Sequence, residues 1–369
     1  MKQFLLIPFA IIGGGFLMIT LTWSPKCLES ELGDTISFGY SLALNKDYLA
    51  VGDPEANRVV LYHRDTKGDW SRIREILPPK GSTAKKVRAG FGYDLAIDED
   101  MLVIGAYLEQ HKAANTEAFQ WTNQLEVSFS GGVYKVVLGK ETEVQRVDTL
   151  AEGEIAGFSV SVDNGQIAFG IKREVKPGIW MGLVGLIGDN LKRITPPTDS
   201  SAQHFGVDVA ISNNLLLVGA PFDDTGAAWL FNLQKSDSLP QRLTIPDVRI
   251  GSAVAISDKF AVVSGVGSVG AYTTDSKTLI LTIKDSSTTV VNSFGDLSLD
   301  NNFLAVTRSQ SGDGEQPAQL DLFDLSVEAT PRLVDQRKGI YPAQVHDNTL
   351  ISVQESTSGN QVCIEQGIQ

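Results

Sequence analysis

Three aspartates, Asp94, Asp208 and Asp296, stand at the same place ahead of three separate polar turns, which puts one acidic residue type in one repeated column. Carboxylates gathered by such a repeat can trade protons as acid and base, or they can line a hydrated passage. Four histidines, His63, His111, His204 and His346, are too scattered for a metal cluster. No Cys or His pair has zinc-ligand spacing, so neither metal nor cofactor is expected. His63 follows a strand and His346 sits in a turn, both solvated readings, whereas His204 enters an inner strand beside the axis of the ring that the repeats imply. Ile12-Gly13-Gly14-Gly15 lies inside an apolar N-terminal run rather than between a strand and a helix, and no nucleophile elbow is present.

The elements that must position these residues recur seven times. Polar turns fall at Asn45-Lys46-Asp47, Asp98-Glu99-Asp100, Asp163-Asn164-Gly165, Ser212-Asn213-Asn214, Ser257-Asp258-Lys259, Asp300-Asn301-Asn302 and His346-Asp347-Asn348. Each follows an alternating strand and precedes a short apolar run such as Leu49-Ala50-Val51 or Leu216-Leu217-Val218. Turns rich in Asn, Asp and Gly suit tight hairpins, because these residues tolerate left-handed backbone. Third strands follow in all seven units and outer fourth strands in six, the seventh having too little chain left. No helical period is evident outside the N-terminal run. Four-stranded units at this period predict an all-β, seven-bladed propeller over residues 26–369, with a linear solenoid as the alternative.

Phe38-Gly39 with Gly52-Asp53-Pro54, Phe91-Gly92 with Gly105-Ala106, and Phe205-Gly206 with Gly219-Ala220-Pro221 resemble the FG-GAP repeat. That repeat builds the seven-bladed integrin α-subunit propeller and occurs in many exported proteins. The resemblance is strong in units one, two and four and weak in five to seven. It implies a propeller and, by analogy, adhesion or surface recognition. Many such repeats also hold Ca²⁺ in an Asp-rich loop between the first two strands. Here the pattern departs from the family, since each corresponding turn is about three residues long and a calcium ion needs roughly 6–8 oxygen ligands.

The formal net charge of −13 excludes an extended nucleic-acid surface and disfavours adsorption to anionic lipid. Residues 4–23 are uncharged and largely apolar, with Lys2 ahead and Glu29, Glu31 and Asp34 behind. This reads as an export segment over residues 1–25, either a cleaved signal peptide or a retained single-span membrane anchor.

Departures from the period mark one face. The connection between second and third strands is long in unit two, with His111, Phe119 and Trp121, in unit three, with residues 172–177 and Trp180, and in unit six, with residues 309–317. Alternate connections of an up-and-down blade open on opposite sides, so all three share a face. Exposed aromatics there suit recognition, and packing under their own loops is the alternative. The missing outer strand of unit seven is expected from the chain's start, which sets Cys27 beside Cys363. A disulfide follows in an oxidising compartment, and two buried thiols otherwise.

These readings converge on an exported binding or scaffold protein, extracellular, periplasmic or at the cell surface. Its partner would be a protein or glycan on the insertion-bearing face, with His111, Phe119, Trp121, Trp180 and His204 as candidate ligand contacts and Asp94, Asp208 and Asp296 lining the channel. The alternatives are a glycan-active hydrolase or lyase at the channel mouth and a passive scaffold in an anchored assembly. Oligomeric state is left open.

Overall fold

The computed structural model describes residues 25–28, 37–79, 90–109, 131–139, 143–151, 153–176, 179–197, 204–223, 226–235, 238–246, 248–284, 292–310, 318–326, 331–356 and 359–367. The side chains of residues 179, 292–295, 309–310, 355–356 and 359 are outside this description. The N-terminal run, His111, Phe119 and Trp121 also lie outside it.

The chain begins with β1 (Lys26–Leu28). Blade 1 is β2 (Leu42–Leu44), β3 (Tyr48–Asp53), β4 (Arg58–Arg64) and β5 (Trp70–Ile76). Blade 2 is β6 (Phe91–Asp98), β7 (Met101–Ala106), β8 (Val133–Val137) and β9 (Gln145–Arg146). Blade 3 is β10 (Glu154–Asp163), β11 (Gln166–Lys176), β12 (Ile179–Ile187) and β13 (Leu191–Ile194). Blade 4 is β14 (Val209–Ser212), β15 (Leu215–Ala220), β16 (Ala227–Asn232) and β17 (Gln241–Leu243). Blade 5 is β18 (Ile250–Ile256), β19 (Phe260–Gly265), β20 (Ser268–Thr273) and β21 (Leu279–Lys284). Blade 6 is β22 (Asn292–Asp300), β23 (Phe303–Gln310), β24 (Gln319–Asp324) and β25 (Arg332–Lys338). Blade 7 is β26 (Ile340–His346), β27 (Thr349–Ser356) and β28 (Gly359–Gln366), and β1 completes it in the order β1-β28-β27-β26. The fold is an all-β, seven-bladed propeller of four-stranded antiparallel blades.

Each pair of neighbouring blades encloses its own apolar core, and the last core joins blade 7 to blade 1. This arrangement explains the uninterrupted apolar second strands. On β3, Leu49 and Val51 enter the core shared with blade 7 while Ala50 enters the core shared with blade 2. A strand buried on both faces loses the alternation of a half-buried one. Outer strands do alternate: along β5 only Trp70 and Ile76 are buried, and the charged and polar side chains between them blunt an exposed edge.

The Phe-Gly pair proves to be a break in the ladder rather than the start of a regular strand. Register shifts separate Phe91 from Leu95, Ala156 from Val160 and Ile250 from Ala253, and in blade 4 the inner strand begins only at Val209. At Gly92, φ of +88° aims the carbonyl at Gly52 of the preceding blade, so closely that a Cβ on Gly52 would lie 2.3 Å from that oxygen. Only glycine fits such an approach. The same lock recurs between Gly105 and Gly157, Gly170 and Gly206, and Gly219 and Gly251.

The turns between first and second strands form a collar at the other end. Asn45 Nδ2 donates to Glu99 O at 2.6 Å, Asn164 N to Asp98 Oδ2 at 2.7 Å, Asn213 N to Asp163 Oδ2 at 2.8 Å and Asp347 N to Asp300 Oδ2 at 2.8 Å. Ring closure is covalent as well. Cys27 pairs with Cys363 across β1 and β28, and the two form a disulfide between residues 336 positions apart.

Candidate functional site

The inner strands surround a channel of about 520 Å³ into which Asp94, Asp208 and Asp296 all face. The first two work as clamps between blades. Asp94 accepts the amide N–H of Leu95 at 2.9 Å on one oxygen and of Val160, in blade 3, at 2.7 Å on the other. Asp208 accepts Ser159 Oγ at 2.8 Å and Val209 N at 3.0 Å on one oxygen, and Val254 N of blade 5 at 2.7 Å on the other. Burial, reinforced by the neighbouring Asp208, pushes the Asp94 carboxyl up to about 8 and that of Asp296 up to about 6. Burial raises Asp208 too, against the hydrogen bonds it accepts.

An arc of aromatic side chains rims the end of the channel opposite the turn collar. Tyr40 and Tyr93 have ring centroids 5.0 Å apart, Tyr93 and Tyr107 5.2 Å, and Tyr107 and Phe158 5.8 Å. Tyr341 of blade 7 hydrogen-bonds to Asp296, and burial together with that carboxylate holds its phenol above the ordinary range. Burial and the bond to Tyr93 do the same for Tyr40. Lys172 continues the arc, its Nζ 4.5 Å from the centroid of Tyr107 and 5.2 Å from that of Trp180, and it donates to the Tyr107 hydroxyl. His204 and Phe222 come next with centroids 4.5 Å apart, and the Arg249 guanidinium lies 5.5 Å over Phe222.

Three expected placements are corrected. His204 does not enter an inner strand at the axis; it is an exposed turn residue with φ of +58°, ahead of β14, because the Phe-Gly break swings it outward onto Phe222. Burial and Lys172 both lower its pKa. Trp180 and residues 172–176 are not a loop but the extension of the β11–β12 hairpin beyond the core, where Lys172 pairs with Gly182 and Glu174 with Trp180. His346 likewise ends β26 and faces the channel rather than sitting free in a turn.

The unit-two insertion leaves and rejoins its blade at a stapled neck. Gly131 N donates to Glu109 O at 3.0 Å, and Arg146 reaches Gly131 O at 2.8 Å, Glu109 at 3.3 Å and Asp148 at 2.9 Å. The blade is therefore complete at the neck.

The tyrosine arc was missing from the sequence expectations although its signal is present. Tyr40, Tyr93, Phe158 and Tyr341 each immediately precede the column that contains Ser41, Asp94, Ser159 and Pro342. Four consecutive blades around the closure thus repeat one aromatic position.

Among the described residues, no group of three or more His, Cys, Asp or Glu side chains is arranged to hold a metal ion. None of their helices is long and apolar enough to cross a membrane. Interlocked Phe-Gly breaks, seven blades and an aromatic rim at one mouth define a propeller of the repeat-locked kind. Residues 190–231, spanning the outer strand of blade 3 and the first three strands of blade 4, match the FG-GAP repeat, and with its seven blades the chain fits an FG-GAP β-propeller family. A search of curated proteins gives no match.

Proposed function

We propose that this is an extracytoplasmic recognition protein that holds a protein or glycan ligand against the aromatic mouth of the propeller. The observation that carries the reading is the concentration of exposed apolar side chains there: Tyr40 at 47 %, Tyr341 at 42 % and Phe222 at 46 % exposure, with Leu108, Val175 and Val266 on neighbouring connections of the same face. Contiguous apolar surface bordered by polar groups is characteristic of interaction sites, and aromatic side chains dominate their energetics. A binding or scaffold role also fits an FG-GAP propeller. The disulfide supports an oxidising, extracellular setting. Residues 4–23 would deliver or anchor the ring there.

The rival reading, a hydrolase or lyase with the channel aspartates as acid and base, meets a physical obstacle. Asp94 and Asp208 commit both oxygens to hydrogen bonds, one oxygen of each to the amide of an adjoining blade, so proton transfer to a substrate would unclamp the ring. The test is capture of partners from the envelope fraction of native cells. Deleting residues 113–127, or replacing Tyr40 and Phe222 with Ala, should abolish recovery while the melting temperature holds. Unchanged recovery with both variants would sink the proposal.

A further inference from the structure

Among the described residues, most arginines stand on carboxylates. Arg58 meets Asp53 at 3.0 Å, Arg193 meets Glu154 at 2.9 Å and Arg337 meets Asp335 at 2.7 Å. Two basic groups on the mouth differ. Among the described residues Lys172 and Arg249 have no carboxylate partner and rest on aromatic rings instead, with His204 between them. In a protein of net charge −13, cations left over half-buried rings and the exposed Phe222 need an explanation from outside the fold.

Packing brings these three groups together from three blades. A Cβ on Gly182, the partner of Lys172 in β12, would lie 1.9 Å from Phe205 O, so blade 3 presses against the residue next to His204. A Cβ on Gly226 would lie 2.5 Å from Ile250 O and 2.9 Å from Arg249 Cγ, which draws the Phe222 connection of blade 4 onto blade 5. The nearby carboxylate of Asp223 is turned away from the rim, buried on Trp229 Nε1 at 3.0 Å and Arg242 at 3.4 Å.

We propose that the rim of blades 3, 4 and 5 is a subsite for a carboxylate-bearing sugar, which stacks on Phe222 while Lys172, His204 and Arg249 bind its carboxylate. This rests on the recognition role of the mouth and names the ligand class for it. A flat, half-exposed ring matches the C–H face of a pyranose, and a guanidinium beside it offers paired donors to a carboxylate. Lys172 from β11 and Arg249 ahead of β18 are the charged groups set around His204, whose pKa is lowered by partial burial and by Lys172. A bound carboxylate favours the imidazolium, so affinity rises on acidification.

Calorimetry on the full chain tests this with a galacturonic acid tetramer, a neutral galactose tetramer and a glutamate tetrapeptide. The acidic sugar should bind at pH 5.5 at least about tenfold more tightly than the neutral one, the worth of a charge-assisted bond. Arg249→Gln, Arg249→Lys and Lys172→Gln should each weaken it about tenfold, with melting temperatures unchanged, since Arg249 is exposed and Lys172 only half-buried. His204→Asn, which keeps a residue suited to left-handed backbone, should remove the gain in affinity between pH 7.5 and 5.5. Equal binding of the neutral sugar, equal or tighter binding of the peptide, no binding of the acidic sugar, or unaltered affinity in the variants overturns the subsite. Any of these, combined with partner capture that still depends on Tyr40 and Phe222, leaves the recognition role standing. Capture that ignores both residues removes that role as well.

Discussion

At the scale of residues, the channel carboxyls couple stability to pH. Folded Asp94 and Asp296 hold protons up to about 8 and about 6, whereas unfolded they release them near the ordinary carboxylate value of 3.8. The native state therefore binds more protons between those limits, and stability falls as pH rises through the interval. Urea midpoints should drop from pH 5 to pH 8, and the drop should be smaller in Asp94→Asn, whose side chain does not titrate. An undiminished drop would show that Asp94 is not its source. The clamp itself can be tested apart from its proton. Asp208→Ala strands the amide of Val254 and the hydroxyl of Ser159, at a cost of about 1–3 kcal/mol, readable in the same midpoints.

At the scale of elements, the blades are locked by backbone, and glycine is required where they touch. Replacing Gly105 with Ala would set a methyl 2.3 Å from Gly157 O, between two strands that cannot both move, and should cost about 1–3 kcal/mol. Gly165, which has nothing within 4 Å of its would-be Cβ, is the control for general glycine effects, its φ of +75° costing only local strain. A Gly105→Ala variant no weaker than Gly165→Ala would refute the lock. The turn collar makes a further prediction: its hairpins are too short to wrap Ca²⁺, so added calcium should leave the melting temperature unchanged, and a rise reversed by chelator would contradict this.

These elements also show what a sequence can and cannot disclose. Leu49-Ala50-Val51 was legible because burial on both faces demands an unbroken apolar run. Phe91-Gly92 was visible as a repeat, but its role was not, since its carbonyl packs against Gly52 and accepts the Ser41 hydroxyl, both of the preceding blade. Residues 172–176 read as a loop because a hairpin that outruns its core carries no apolar alternation, even though Arg173 pairs with Met181 and Glu174 with Trp180. Asp94, Asp208 and Asp296 share a column that the sequence displays, but the clamping bonds of the first two could not be read without knowing which blade follows which at close range.

At the scale of the whole molecule, the ring depends on its ends. The last blade takes β1 from the start of the chain, and Leu28 packs against the core between blades 7 and 1. The Cys27–Cys363 bond spans almost the entire sequence, for which chain entropy gives an upper stabilisation of about 6 kcal/mol. Replacing both cysteines with Ser should lower the stability by a substantial part of that and steepen the denaturant transition, because the unlinked unfolded chain exposes more surface. An unaltered midpoint would mean that strand pairing alone closes the ring.

The account turns on one mouth of that ring being the recognition surface. The most direct measurement compares quantitative partner capture from native envelope by three folded proteins: the natural chain, a variant with Tyr40→Ala and Phe222→Ala on the aromatic mouth, and a variant with Lys46→Glu and Lys259→Glu on the opposite turn collar. The account predicts that the mouth variant loses the partner while the collar variant retains it. Retention by the mouth variant, or loss confined to the collar variant, would contradict it.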